Sequence, residues 1–442
     1  MTGNRKNTDL MMVVASDISG QLRGKAMPLR AKVLRTETGV GWTGTCVQIT
    51  SFGPIAASPW GPRGDLLIRP DYSTMIDLAI PEYGVNECFA IGDVMTLEDE
   101  PWECCLRGQA KAAAERLEND YGLVLKAAFE HEFHYSGGRP QPGLGYALSA
   151  FRRMGEFPDR LMVVLDRVGL KLDTFMPEYG PGQCEVTIGP NDAISACDDA
   201  VVLREMTRAV AHGLGERVSF APILDPEGVG NGVHLHFSLH DVEGNPVDFD
   251  SAKPHGVSDR AGAFIAGVVR RLPEFVSMTA PAVPSYIRLT PHRWSPTCNN
   301  VGYRDREAAV RICPVFQPRD EKDFADKFHF EYRVSDAAAS PYLVMAALVN
   351  AGLNGLDENL PTPVVTESDP NEMTPEQLAD IGCARLPASL ADALDRLEAS
   401  DWAKTAFGET FIGVYLAHKR CEIDIMNGLT DTEICEKYAL AY

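Results

Sequence analysis

The chain has 442 residues, of which 45% are hydrophobic and 23% charged, so it is long enough for two or three globular domains with a substantial core. Its formal net charge of −21 argues against a nucleic-acid partner, because neutralising phosphates requires a basic surface. No apolar stretch approaches the roughly 20 residues of a membrane span, so no membrane partner is expected.

The first hundred residues predict a small unit built mainly of strands. Residues 10–15 have the pattern of an apolar strand, and the glycine-punctuated run 17–25 predicts a hairpin. Glycine- and proline-rich connections around 53–64 lead to another strand at 65–68. We therefore predict an N-terminal domain over residues 1–105.

The remainder predicts one large α+β domain over residues 106–442, in which helices and strands are mixed. Its helices begin or end at typical capping and breaking residues. They are a helix from near Leu106 with Gly122 just past its end, one from Asp192 to about Gly213, one over 259–279 that is strongly helical up to Pro273, one over 341–353 that begins with Pro341, and amphipathic helices from 386 onward.

Four segments alternate apolar residues with glutamate, histidine or arginine. Because strand side chains alternate with a period of two, each segment places ligand-type groups on one face and an anchoring apolar row on the other. Facing one another, the four rows would form an acidic, histidine-containing pocket with arginine-rich edges, which suits divalent metal and phosphate. The segments are 129–133, 183–186, 233–239 and 329–334, and they carry Glu130, Glu132, Glu185, His234, His236, Ser238, His329, Glu331 and Arg333.

These donor types favour a hard divalent cation. Mg²⁺ prefers oxygen ligands in near-octahedral geometry, and Mn²⁺ accepts imidazole as well. A zinc site is not expected, because no cysteine–histidine cluster has the required spacing along the chain. The eleven cysteines include no Cys-x-x-Cys pair, which is typical of reduced thiols and predicts a cytoplasmic protein.

Eight motifs follow one another along almost the whole chain. They are Gly20-Gln-Leu-Arg-Gly-Lys25, Gly64-Asp65 with Pro70-Asp71 and Thr74, Glu130 to Phe133, Glu178-Tyr-Gly-Pro-Gly-Gln-Cys-Glu185, Asn231-Gly-Val-His-Leu-His236, Ser285-Tyr-Ile-Arg-Leu289, Arg306-Glu-Ala-Ala-Val-Arg311, and Phe330-Glu-Tyr-Arg333 followed by Pro341-Tyr-Leu343. In kind and order they resemble the glutamine synthetase family. The resemblance implies a small N-terminal β-grasp-like domain and a large catalytic domain of the glutamine synthetase type, with an antiparallel sheet lining the active site.

Carried over position by position, the resemblance also implies a role for each motif residue. The implied ligands are Glu132, Glu178 and Glu185 for one metal and Glu130, His234 and Glu331 for a second. The implied substrate contacts are Gly230, Arg288 and Arg333 for glutamate, Arg306 for the transferring phosphoryl group, and His236, Ser238 and Arg311 for the nucleotide.

The family's chemistry implies an ATP-dependent ligase. In this family ATP phosphorylates the γ-carboxylate of glutamate, and an amine then displaces the phosphate. Phosphoryl transfer relies mainly on positioning and charge neutralisation, so ATP and two or more Mg²⁺ or Mn²⁺ ions per site are expected. The family assembles as stacked rings with active sites shared between subunits, which implies a homo-dodecamer of two hexamers.

The sequence departs from the family pattern where ammonia would bind. Ammonia-using members carry a flap glutamate in a Gly-Tyr-Glu-Ala-Pro-like run, and Trp294 stands at that position. The N-terminal Asp-Gly-Ser-Ser-type loop, whose aspartate helps bind ammonium, is replaced by residues 51–56. Val229 and Pro284 stand where asparagines are expected. Each change replaces a polar group with an apolar or bulky one.

Because the flap glutamate and the loop aspartate are both absent, the site that would concentrate and deprotonate ammonium is missing. An alkylammonium with a pKa of about 10.4 is neutral in less than about one part in a thousand at pH 7, a cost of roughly 4–5 kcal/mol that a base normally offsets. Trp294 cannot be a base, but it can wall an apolar pocket or stack on a ring or cation. We therefore predict a glutamate–amine ligase whose acceptor is an organic amine: an arylamine, an alkylamine or a polyamine. A polyamine would require acidic groups near the pocket, which the sequence does not place.

Three alternatives stay open. The first is an ammonia-dependent glutamine synthetase, in which Trp294 only packs on a rearranged flap and another acid acts in trans. The second is a catalytically silent structural or regulatory member, although the complete set of metal ligands argues against it. The third is ligation of a different acid, because Val229 and Pro284 alter the pocket, while Arg288 and Arg333 favour glutamate.

Overall fold

Two β-sheets packed against helices organise the chain in the computed structural model, which describes residues 10–35 and 38–442. Residues 1–9 of the predicted N-terminal domain lie outside the described part. The predicted α+β class, with a small N-terminal sheet and a larger mixed region, is confirmed. The boundary at residue 105 stays a prediction.

The N-terminal sheet has six strands in the described residues, in the order β2-β1-β6-β4-β3, with β5 also paired to β6. The predicted strands at 10–15 and 65–68 are present, and the predicted hairpin joins the first two strands in antiparallel register. The strands are β1 (Leu10–Ser16), β2 (Leu22–Pro28), β3 (Val40–Thr43), β4 (Asp65–Pro70), β5 (Ile76–Ile80) and β6 (Val85–Met95).

The second sheet has ten strands in the described residues, and its path is β16-β13-β14-β15-β12-β7-β9-β8, with β10 and β11 paired to β7. From β14 to β8 all neighbours are antiparallel, as predicted. The strands are β7 (Leu123–Tyr135), β8 (Leu172–Pro177), β9 (Gln183–Ile188), β10 (Asn191–Asp192), β11 (Val218–Ser219), β12 (Val233–Asp241), β13 (Val301–Tyr303), β14 (Val310–Ile312), β15 (Phe330–Tyr332) and β16 (Val365–Thr366).

The helices begin and end largely where the sequence predicts. Gly122 ends the first helix in the left-handed conformation, and the Asp192 side chain accepts a hydrogen bond from Ser195 N. The helices are α1 (Leu106–Tyr121), α2 (Leu148–Arg153), α3 (Phe157–Arg167), α4 (Ala193–Gly213), α5 (Asp259–Thr279), α6 (Ser285–Arg288), α7 (Glu321–Lys327), α8 (Pro341–Asp357), α9 (Pro375–Asp380), α10 (Leu390–Ala399), α11 (Asp401–Phe407), α12 (Glu409–Met426) and α13 (Asp431–Ala441). None of these described helices is long and apolar enough to cross a membrane.

Helix α5 spans Asp259–Thr279, the predicted range, and it continues through Pro273 without a break. An internal proline costs about 3 kcal/mol. Beyond it, Phe275 and Met278 are fully buried, and burying one such side chain contributes about 1.5–3 kcal/mol. Packing on both sides of the proline therefore outweighs the lost hydrogen bond.

The apolar face of the second sheet packs against helix α5. Phe237 lies 6.0 Å from Phe264 between ring centroids, and Tyr332 lies 6.3 Å from Phe275. Both strand residues are buried, and each neighbours a ligand-type residue that points the other way. This packing fixes which sheet face remains available for ligands.

Candidate active site

Five neighbouring strands of the second sheet place their charged side chains on one face. Directly opposite side chains in antiparallel pairs lie only about 4.5–5.5 Å apart, so the register brings groups from distant parts of the chain together. The opposed pairs are Glu130 with His234, Glu132 with Glu185, Glu331 with His236, and Glu331 with Arg311.

This face forms the floor of a cavity of about 540 Å³, here called the central cavity. It is lined by every site residue predicted above except Ser238. These residues are Glu130, Glu132, Glu178, Glu185, Gly230, His234, His236, Arg288, Trp294, Arg306, Arg311, Glu331 and Arg333.

Ser238 lies instead in an adjoining cavity of about 670 Å³, here called the side cavity. The two cavities share wall residues, including His236, His329 and Phe316. The side cavity also carries lysines, which suit phosphates: Lys126, Lys171 and Lys327.

Glu130, His234 and Glu331 place ligand atoms within 4.8 Å of one another. His234 Nδ1 is 3.3 Å from Glu130 Oε1 and 3.6 Å from Glu331 Oε1. Burial opposes ionisation of Glu130, but hydrogen bonds from His234 and His236 hold its pKa well below the ordinary value. Burial likewise opposes ionisation of Glu331, yet Arg333 and the two histidines lower its pKa to about 2. This donor set fits one divalent cation.

Glu132, Glu178 and Glu185 form a second acidic group on the same cavity wall. Burial, followed by the charge of Glu178, raises the pKa of Glu132 to about 7. Burial and the charge of Glu130 raise the pKa of Glu185 to about 11, and burial also raises the pKa of Glu178. A second cation bound among these carboxyl groups would stabilise their ionised forms.

This electrostatic arrangement predicts that metal binding depends on pH. Protons compete with the metal for Glu132, whose pKa is about 7, and for Glu185, whose pKa is higher, so Mn²⁺ affinity is expected to rise from about pH 6 through pH 8 and above, and binding to release protons. Calorimetry in two buffers with different ionisation enthalpies measures the proton release. Glu132→Gln should weaken this pH dependence, and a pH-independent affinity in the unsubstituted protein would contradict the prediction.

Gln183 and Gly232, for which no role was predicted, orient Glu132. Gln183 Nε2 donates to Glu132 Oε2 at 3.1 Å and to the carbonyl oxygen of Gly230 at 2.9 Å, while Gly232 N donates to Glu132 Oε2 at 2.8 Å. Gln183 is two positions before Glu185 on β9, so the period of two already indicated the shared face.

The arginines lie against the acids and the backbone of the cavity. Arg333 forms an ion pair with Glu331 and donates from Nε to the carbonyl oxygen of Arg306 at 2.8 Å. Arg311 Nη1 is 2.8 Å from Glu331 Oε2. Buried Arg288 passes so close to Gly230 that a Cβ there would lie 2.5 Å from Arg288 Cγ, so only glycine fits.

The loop that carries Trp294 is held by hydrogen bonds to Glu307 and Arg288. His292 and Trp294 both adopt left-handed backbone conformations, with φ of 62° and 55°. Trp294 N donates to Glu307 Oε1 at 3.0 Å, and Ser295 Oγ donates to the carbonyl oxygen of Arg288 at 2.7 Å. The indole is therefore held at the cavity entrance, although half of it is exposed.

Tyr146 and Tyr179 complete an aromatic rim around Trp294. The Trp294 ring lies 6.4 Å from Tyr146 with planes inclined by 16°, and 6.3 Å from Tyr179. The Tyr146 hydroxyl and the carboxylate of Glu178 also lie close enough to interact electrostatically. Sequence reasoning missed both tyrosines, and Tyr146 lies in a connection that carries no local signal. Three electron-rich faces beside a carboxylate can bind an organic cation.

On the other side of Trp294 is an exposed cavity of about 540 Å³, here called the acidic cleft. Its carboxylates come from Asp305, Glu307, Glu367 and Asp369. Trp294 lines both this cleft and the central cavity. The structure thus places the acidic groups that the sequence could not.

The three other departures from the family pattern, Val229, Pro284 and the segment 51–56, lie at separate places in the structure. Val229 lines the central cavity, where it adds apolar surface. Pro284 immediately precedes α6, which carries Arg288. The segment 51–56 is not part of this chain's central cavity, and Ser51 Oγ instead hydrogen-bonds the Tyr442 hydroxyl at 2.8 Å.

Comparisons with known proteins agree with this geometry. A family model described as glutamine synthetase, catalytic domain, matches residues 103–438. The chain is 30% identical to gamma-glutamylpolyamine synthetase GlnA3 of Streptomyces coelicolor, over 96% of this chain and 92% of that protein. It is 29% identical to a glutamine synthetase of Thermococcus kodakarensis, over 91% of this chain and 86% of that protein.

Solved structures share the fold. A structure described as a novel glutamine synthase homolog matches with a TM-score of 0.88 and 35% identity, over 100% of both chains. A GmaS/ADP complex matches with a TM-score of 0.81 and 24% identity, over 96% of this chain and 95% of that chain, a similarity that concerns the fold alone.

Proposed function

Because the chain belongs to the glutamine synthetase family and is an ATP-dependent ligase that forms C–N bonds, we propose that it joins the γ-carboxylate of glutamate to an organic amine. The observation that best supports this proposal is Trp294. The resemblance implies an acid at this position in ammonia-using relatives, and here the indole lies beside Tyr146 and Tyr179. The aromatic rim offers an alkyl or aryl amine apolar surface that ammonia could not use.

The activating half of the site would use the metal ligands and arginines in the roles implied by the family. Glu130, His234 and Glu331 would hold one Mg²⁺ or Mn²⁺, and Glu132, Glu178 and Glu185 another. Bound divalent cations would supply charge neutralisation for the ATP phosphates and the glutamate carboxylate.

The protein's own groups would position the substrates. Arg288, Arg333 and the backbone at Gly230 would bind glutamate, for which the planar guanidinium is well suited. Arg306, exposed at the cavity wall, would stabilise the transferring phosphoryl group. ATP would occupy the side cavity along Ser238 and extend past His236 and Arg311 towards the metals. This arrangement favours formation of a γ-glutamyl phosphate beneath the aromatic rim.

Among organic amines, the acidic cleft favours a diamine or polyamine. One amino group would enter the central cavity past Trp294, while a second ammonium group would remain near Glu367 and Asp305. The relative from Streptomyces coelicolor bears the name of a polyamine ligase, which supports this choice.

The decisive assay is ATP-dependent phosphate release with glutamate and Mg²⁺ across ammonia, alkylamines, diamines and anilines. We expect diamines or polyamines to give the highest kcat/KM, with the γ-glutamylamide identified by mass. Ammonia supporting turnover as well as any organic amine would contradict the proposal and favour an ammonia-dependent glutamine synthetase. Absence of both turnover and ATP binding would indicate a silent member.

Glu367→Gln tests the acidic cleft directly. The Glu367 side chain is largely exposed, so its removal is expected to lower kcat/KM for a diamine about 3- to 5-fold, and less at high salt. A monoamine of the same length should be unaffected, since it presents no second charge. Glu372→Gln, an exposed acid outside the cleft, is the matched control. Equal losses for both amines would contradict a role in recognising the second ammonium.

The assembly and location follow the family and the composition. We propose a homo-dodecamer of two hexameric rings with active sites shared between subunits, which light scattering of the purified protein would test. The eleven cysteines include no Cys-x-x-Cys pair, a pattern typical of reduced thiols, which supports the proposed cytoplasmic location.

A further inference from the structure

A cysteine and two histidines meet where the central and side cavities join. Cys313, His236 and His329 each place one ligand atom within 4.8 Å of the others. Cys313 Sγ is 4.0 Å from His236 Nδ1, and the two imidazole centroids are 5.3 Å apart. The three residues lie just after β14, on β12 and just before β15, so their spacing along the chain gave no sign of the cluster.

The second nitrogen of each histidine is already held in place. His236 Nε2 is 3.1 Å from Glu130 Oε2, and His329 Nδ1 is 2.8 Å from the carbonyl oxygen of Lys327. Metal-ligating histidines typically donate their other N–H to such a carboxylate or carbonyl oxygen, which fixes the ring orientation. These contacts leave His236 Nδ1 and His329 Nε2 for a metal beside the thiol.

We propose that Cys313, His236 and His329 form a binding site for Zn²⁺ or another thiophilic divalent cation. In a tetrahedral zinc site the sulfur and a nitrogen ligand lie about 3.6 Å apart, so the observed 4.0 Å between Cys313 and His236 requires a shift of only a few tenths of an ångström. The His329 ligand atom lies within 4.8 Å of the other two and would move closer by up to about 1.4 Å. All three residues line the central cavity, so water can fill the fourth position. Mg²⁺ and Mn²⁺ prefer oxygen donors and would not select a thiolate. The sequence-based expectation of no zinc site is thereby revised.

A cation bound there would inhibit the ligase, a consequence that rests on the proposed function. His236 and His329 line both cavities, so the ion would occupy the passage through which ATP must extend towards the metals. It would also hold His236 away from the nucleotide. Zn²⁺ is therefore expected to compete with ATP, even when Mg²⁺ is saturating.

Titrating the full-length protein with Co²⁺, in the presence of saturating Mn²⁺, tests the site without relying on activity. A thiolate-to-cobalt charge-transfer band that saturates at one Co²⁺ per chain is expected, and it should disappear in Cys313→Ser. Cys298→Ser is the matched control, because Cys298 and Cys383 form another pair of contacting thiols, and it should keep the band. Absence of the band, or its persistence in Cys313→Ser, would overturn the site.

His329→Gln provides a second variant that retains the thiol. Loss of this ligand is expected to weaken Co²⁺ and Zn²⁺ binding at least about 10-fold, with the melting temperature confirming a folded protein. Unchanged affinity for both ions would show that His329 is not a ligand and would contradict the three-residue site. The Zn²⁺ concentration that halves phosphate release should rise at least about 100-fold in Cys313→Ser, with each protein's rates normalised to its own zinc-free rate. A cobalt band in a protein without ligase activity would support the metal site while refuting the proposed function.

Discussion

Glu130→Gln is expected to lower ATP-dependent phosphate release by about 10³-fold, which corresponds to roughly 4 kcal/mol of transition-state stabilisation. Glutamine keeps the shape of the side chain but loses the negative charge. The charge matters because Glu130 lies 3.3 Å from His234 Nδ1 and 3.1 Å from His236 Nε2, at the centre of one proposed metal site. Mn²⁺ affinity, measured by calorimetry, should fall together with the rate.

Glu118→Gln is the matched control for this substitution. It removes one exposed carboxylate from α1, outside the cavities described above, and should leave rate and affinity unchanged. A melting temperature close to that of the parent would show that Glu130→Gln is folded. Phosphate release within about 3-fold of the parent, with unchanged Mn²⁺ affinity, would refute the role proposed for Glu130.

Trp294→Ala is expected to raise KM for the preferred amine about 10- to 100-fold, equivalent to roughly 1.4–3 kcal/mol of lost apolar and cation–π contact. KM values for ATP and glutamate should change little, because the indole lies at the entrance of the cavity and not on the strand face that holds the ligands. Steady-state kinetics with each substrate varied in turn separates these effects.

Two further substitutions sharpen the test of Trp294. Trp294→Phe keeps an aromatic face beside Tyr146 and should recover most of the amine affinity. Trp294→Glu restores an acid at the position where ammonia-using relatives carry one, and should increase turnover with ammonia relative to organic amines. An alanine variant with unchanged amine KM would show that the indole only packs in the loop.

The candidate ligands could be found from the sequence because their signal is local. Alternation with a period of two places Glu130, His234 and Glu331 on ligand faces of their strands, whatever the strand order. The same rule places Gln183 on the face of Glu185, although no role was predicted for it. It could not find Tyr146, which lies in an irregular connection and reaches Trp294 only through the tertiary fold.

The continuation of α5 through Pro273 has a similar explanation. Propensity argues that the helix should weaken at the proline, because one hydrogen bond is lost and the ring clashes with the preceding turn. The compensation comes from Phe275 and Met278, whose burial depends on neighbours elsewhere in the chain. A rule based on helix propensity cannot include this packing energy, because it considers only neighbouring residues in the sequence.

The sequence by itself determined the set of candidate ligand residues and the side of each strand on which they lie, and it placed Trp294 where the resemblance implies an acid, because these are properties of short segments. Only the tertiary structure decided which rows face each other, and it gathered the aromatic rim, the acidic cleft and the Cys313, His236 and His329 cluster. Those groups depend on strand order and loop closure between residues far apart in the chain. Contacts of that kind are set by packing of the whole molecule, so no periodic pattern in the sequence predicts them.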